Sequence, residues 1–120
     1  MATQKATFGA KDDGSMVTAT WLLTATDDGA PIAMAEWADK SCQVGIAGDA
    51  FAAGTILIEG SNDGVTWTNL RAPDSTALSF TTAGLKQVLE MTAYIRPRAS
   101  VAVTNVAVVI ALRRNNSMRT

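Results

Sequence analysis

The stretch from Thr55 to Leu70 constrains the fold more than any other part of the chain: an apolar, β-branched run, Thr55-Ile-Leu-Ile-Glu59, breaks at Gly60-Ser-Asn-Asp-Gly64 and resumes as Val65-Thr-Trp-Thr-Asn-Leu70. Glycine and Asx residues tolerate positive φ, and short Ser and Asx side chains bond their own backbone, so the pentapeptide reads as a turn. Its flanks favour a pleated, half-buried surface. The stretch predicts a β-hairpin, with Trp67 on the return strand at a parity that faces the core.

The same alternation runs along the rest of the chain. Strands are expected at about 17–26, 40–48, 77–80, 85–91, 92–100 and 105–112, with turns at 27–31 and 71–75. Residues 32–39 fit a strand or a short helix, and strand is preferred. Pro97 cannot donate to a ladder, which places its strand at a sheet edge or at a bulge. In the last strand Val106, Val108, Ile110 and Leu112 share one face, while Ala107, Val109 and Ala111 occupy the other. Short strands about ten residues apart, separated by turns, indicate an all-β protein: a single antiparallel β-sandwich, jelly-roll-like, of seven or eight strands. Residues 1–16 read as an irregular N-terminal arm, 17–114 as the sandwich domain and 115–120 as a polar C-terminal tail.

Composition narrows the chemistry. There is no histidine, which excludes imidazole-based triads, proton shuttles and metal sites. The single cysteine, Cys42, shares parity with Val44 and Ile46 and reads as a small core residue. One cysteine without histidine cannot build a zinc shell. The acidic residues concentrate in turns, where Asp-Gly is turn chemistry before it is catalysis. Glu59 and Asp63 bracket the hairpin turn, but calcium needs roughly six to eight oxygens and no loop supplies them in series. No catalytic residue, cofactor or metal is therefore expected. A net charge of −1 argues against a nucleic-acid surface, and no run of about 18 apolar residues spans a membrane. The opening residues lack a signal peptide, so synthesis in the cytoplasm is expected.

Four residues stand out as candidates for interaction. Tyr94, Arg96 and Arg98 alternate with Ile95 and Pro97 and so share one strand face, which could meet an acidic partner, a sugar or a carboxylate. The competing reading is a solvated face or salt bridges to turn aspartates. Trp37 has the least determined environment of the three tryptophans and is the best candidate for an exposed aromatic. Trp21 and Trp67 suit packing better than a sugar platform.

Two resemblances follow from these segments. Glu59-Gly-Ser-Asn-Asp-Gly-Val-Thr-Trp67, with Tyr94-Ile-Arg-Pro-Arg98 later, resembles coagulation-factor-type discoidin domains. This implies a β-sandwich; the chain is shorter than that family and lacks its terminal cysteines, so the ligand function is not carried over. The second resemblance runs from about Trp37 to Arg114. It takes in Trp37-Ala-Asp-Lys-Ser-Cys-Gln-Val44, Gly54-Thr-Ile-Leu-Ile-Glu-Gly-Ser-Asn-Asp-Gly64, Ala77-Leu-Ser-Phe80, Tyr94-Ile-Arg-Pro-Arg98 and the terminal strand ending at Arg113-Arg114. These resemble small decoration or cement proteins of tailed bacteriophages. That resemblance implies a non-enzymatic virion protein on the capsid exterior. Its partners would be the major capsid protein and copies of itself, as a homodimer or homotrimer, and neither nucleic acid nor membrane. The alternative is a carbohydrate-binding module of a phage tail or cell-surface protein, using Trp37 with Tyr94, Arg96 and Arg98.

Overall fold

In the computed structural model, residues 2–10, 16–33, 37–45, 51–90 and 92–114 are described, with Ala10, Trp37, Ala38 and Arg114 described as backbone only. The tail at 115–120, positions 46–50 and the Trp37 side chain, all used above, lie outside the described residues.

The described chain is all β, in two sheets. Its strands are β1 (Thr3–Gln4), β2 (Thr7–Ala10), β3 (Met16–Ala25), β4 (Asp28–Gly29), β5 (Ile32–Ala33), β6 (Trp37–Val44), β7 (Thr55–Ser61), β8 (Thr68–Asn69), β9 (Ser79–Phe80), β10 (Gly84–Gln87), β11 (Tyr94–Val101) and β12 (Val103–Arg114). Twelve are described against the seven or eight expected: seven have four residues or more, one of them, β2, in the segment read as an arm, and the other five are two-residue pairings. A seven-stranded sheet runs β1-β4-β11-β7-β8, with β5 also on β11 and β9 also on β7, and a five-stranded sheet runs β10-β6-β12-β3-β2. Pairing is antiparallel except between β1 and β4.

The inner faces follow the two-residue period. Ala19, Trp21 and Leu23 of β3, Cys42 and Val44 of β6, and Val106, Val108, Ile110 and Leu112 of β12 are buried from the five-stranded sheet. Ile56, Ile58, Ile95 and Ala99 face them from the other sheet, and Leu70, Leu78, Phe80 and Val88 join the same core from the 70–88 connection. Each such aliphatic side chain contributes about 1.5–3 kcal/mol through burial. Trp21 keeps its polar atom satisfied: Nε1 donates to the Ala30 carbonyl at 3.0 Å.

Three sequence expectations change. The segment read as an irregular arm supplies β1 to one sheet and β2 to the other. Asp27 is what captures it: its carboxylate accepts from the Ala2 N–H at 3.1 Å, Gln4 Nε2 at 2.7 Å and the Thr24 hydroxyl at 2.9 Å. The hairpin turn is longer than its pentapeptide. Gly60 pairs within the ladder and the return strand starts at Thr68, because Asp63 Oδ1 takes the N–H groups of Val65 and Thr66, both at 2.8 Å, out of any ladder. Gly64, at φ +75°, supplies the left-handed step.

Pro97 lies in a central strand, not at an edge, but the other half of the expectation holds nearby: the register of β11 on β7 shifts between Ala99 and Val101. N–H groups alternate sides along an antiparallel strand, so the Pro97 nitrogen points the same way as the Ala99 N–H, which donates to the Asp27 carbonyl at 2.9 Å. On that side β5 pairs with Tyr94 and Ile95 and β4 with Arg98. The missing donor falls in the gap between them. The ring packs on Gly29, where an added Cβ would lie 2.6 Å from Pro97 Cδ and 2.8 Å from Trp21 Cδ1.

Candidate functional site

Tyr94, Arg96 and Arg98 do share the outer face of β11, and the registry sets Arg96 opposite Glu59 and Arg98 opposite Leu57 on β7. Glu59 is the centre of the group. Its Oε1 accepts from Arg96 Nε at 3.1 Å and its Oε2 from Arg98 Nε at 2.9 Å. Arg96 reaches on to Asp28 Oδ2 at 3.2 Å, and Asp28 Oδ1 accepts from the Thr3 hydroxyl at 2.7 Å. Two guanidiniums thus meet two carboxylates, with the Glu59 side chain 7% exposed and that of Arg96 17%. Arg96 is spent on structure, while Arg98 keeps 36% of its side chain accessible.

Trp67 does not face the core. It lies outside the ladder, half-buried, with its ring centroid 4.2 Å from the Arg96 guanidinium carbon. Stacking there shields the Arg96–Glu59 pair and adds a cation–π contact. The sequence signal for this position was the aspartate four residues earlier, which ends strand geometry before Trp67 is reached. Tyr94 stands beside the turn at the rim of the cluster, its ring 3.6 Å from where a Gly64 Cβ would sit. The turn is rigid: Ser61 Oγ accepts from Gly64 N–H at 2.8 Å and donates to Asp63 Oδ1 at 2.8 Å, and Asn62 Oδ1 accepts from Ala93 N–H at 2.9 Å. The Thr66 and Val65 N–H groups hold the Asp63 carboxyl well below the usual carboxylate range. Glu59 and Asp63 are engaged separately, and no group of three or more metal-ligating side chains occurs among the described residues.

Cys42 is fully buried, its thiol 3.3 Å from the Lys86 carbonyl, and burial pushes it up to about 11. A shallow concavity of about 400 Å³ at one end of the five-stranded sheet is lined by Asp39, Lys40, Ser41, Gln87 and Arg113 among others. Burial lowers the Lys40 ammonium, and Asp39 opposes the shift.

The sheet edges differ in kind. Those of the seven-stranded sheet are the two-residue strands β1 and β5 on one side and β8 and β9 on the other, too short to template another strand. Those of the five-stranded sheet, β2 and β10, are four residues long and carry Phe8, 59% exposed, and Leu85, 66% exposed. Neither exposed residue was singled out from sequence, because exposure at an edge depends on which strands end the sheet.

No protein-family model and no curated protein matches the sequence. Solved structures do match the fold. The SPBc2 prophage-derived protein YomS is similar at a TM-score of 0.62 and 11% identity, over 81% of this chain and 93% of that one. Peruvianin-I, a cysteine peptidase from Thevetia peruviana latex, is similar at 0.52 and 13%, over 94% of this chain and 63% of that one. The cupin domain of Schizosaccharomyces pombe Cnp3 is similar at 0.50 and 10%, over 92% of this chain and 60% of that one. At these identities the likeness is one of fold: a two-sheet, jelly-roll type of β-sandwich. Among the described residues no helix is long and apolar enough to cross a membrane.

Proposed function

We propose that the chain is a non-enzymatic structural protein of a tailed-phage virion, of the decoration or cement type, that binds the exterior of the capsid shell and stabilises it. The observation that carries this reading is the pair of edges of the five-stranded sheet, which pair with no further strand among the described residues and each bear an exposed apolar side chain, Phe8 or Leu85. An edge of this kind takes up an extended segment of a neighbour through main-chain hydrogen bonds, with side chains adding specificity. Repetition over a lattice turns modest contacts into firm attachment. YomS, which shares the fold, is prophage-derived. The peptidase chemistry named for Peruvianin-I has no counterpart here: Cys42 is fully buried, and the sequence holds no histidine to activate it.

Co-sedimentation of the purified protein with expanded capsids of the phage that encodes it tests the reading. The expected result is saturable binding to the major capsid protein lattice, a raised shell melting temperature, and loss of both on Phe8→Asp with Leu85→Asp. Absence of binding, or binding without stabilisation, overturns it.

A second reading, a carbohydrate-binding module of a phage tail or cell-surface protein, draws on the juxtaposition of Tyr94, Trp67 and Arg98 around the rigid turn. Retention on a glycan array that is abolished by Tyr94→Ala and Arg98→Gln would favour it over the shell.

A further inference from the structure

We infer that the outer face of the five-stranded sheet is the surface on which two copies of this chain pack, sheet against sheet. The face consists of Thr18, Thr20 and Leu22 of β3 and Ala107, Val109 and Ala111 of β12, flanked by Ser41 and Gln43 of β6. Leu22, opposite Ala107, is 51% exposed, and no described element covers it. The charged side chains at outward positions of this sheet, among the described residues, are Asp39 and Arg113. They are paired in register at one end, beside Met16.

Charge and size both point to a second copy as the occupant. A two-fold interface sets a patch against itself, so a like-charged patch repels while an uncharged one does not. Depletion of charge is also the compositional mark of an interface centre. Three strands of about eight residues and two edge strands of four, about 4.8 Å apart, give a face of roughly 500 Å². Two such faces bury about 1,000 Å² in total, the threshold for a specific interface, so the dimer is a weak one. Away from the concavity at the Asp39–Arg113 end, which opens on the same side, a β-branched and small-residue surface suits aligned sheet packing, in which side chains of two faces interdigitate. Shell binding uses the sheet edges; the two surfaces adjoin at Leu85, which pairs with Gln43 and shares its outward side, while Val109 and Leu22 lie on inner strands.

Sedimentation equilibrium over a concentration series tests it. The wild-type mass should rise from monomer to dimer, and Val109→Glu should weaken the dimer at least about tenfold by juxtaposing like charges. Because Val109 lies in a central strand, Leu22→Lys repeats the test on a half-exposed side chain, with a thermal melt confirming the fold of each variant. A folded variant that is monomeric where wild type is dimeric supports the inference. A wild-type monomer at every concentration, a trimer, or a dimer indifferent to both charges overturns it.

Discussion

On the outer face of the seven-stranded sheet Glu59 holds Arg96 and Arg98, Asp28 holds Arg96 again, and Trp67 roofs the cluster. At the corresponding level of the five-stranded sheet stand the uncharged Thr20, Val109 and Gln43, roofed by no described residue. Both sheets bury the same kind of aliphatic inner face, so the contrast is not one of core. It lies in where outward side chains find their partners. The first face satisfies its charges within the chain and has little left to offer a second molecule beyond Tyr94 and the rim of Arg98. The second leaves apolar and hydroxyl surface with no partner layer among the described residues, a surface that gains by being covered.

The comparison can be broken by substitution. Glu59→Gln should cost the most, about 3 kcal/mol in a urea or thermal melt, because it removes the one carboxylate that Arg96 and Arg98 share, leaving Arg96 with Asp28 alone and Arg98 without its ion-pair partner. A loss under about 1 kcal/mol would mean that solvent already screens the cluster. Asp27→Ala should cost about 2 kcal/mol, since the carboxylate accepts from Ala2, Gln4 and Thr24. Hydrogen exchange should then show faster exchange at residues 2–4. Burial alone would raise the Asp27 carboxyl, but the bonds from Gln4, Thr24 and Ala2 prevail and hold it below its ordinary 3.8. A lowered folded value means that this stabilisation is present above pH 3.8 and lost as the pH falls through the folded value. The gap between wild type and Asp27→Ala should therefore close on acidification. Trp67→Ala should cost about 1 kcal/mol, the scale of a partly desolvated cation–π contact. Leu22→Lys, on the bare face, should change monomer stability by less than about 0.5 kcal/mol.

How much of this was legible in the sequence follows from how local each determinant is. The core strands were readable because β12 and β7 alternate or run apolar over enough residues for period two to show. The shared face of Tyr94, Arg96 and Arg98 followed from the same period. What Arg96 and Arg98 touch did not, because Glu59 lies 37 and 39 positions away, and that separation is closed only by the registry of β11 on β7. Val65-Thr66-Trp67 has strand composition, yet one carboxylate two to four residues upstream overrides it. Pro97 looked like an edge signal. The two-residue strands β4 and β5, which leave its nitrogen without a required acceptor, are too short to be seen as strands at all. The N-terminal segment has no periodicity, and its order comes from Asp27 and Asp28, more than twenty positions on.

The most direct test of the contrast between the two faces is a concentration series of amide chemical shifts from the labelled protein. The account predicts that shifts move with concentration on β3, β12 and β6 while residues 62–67 and 94–98 stay fixed. Movement confined to 62–67 and 94–98 would contradict it, and would make the charged face, not the bare one, the surface through which copies meet.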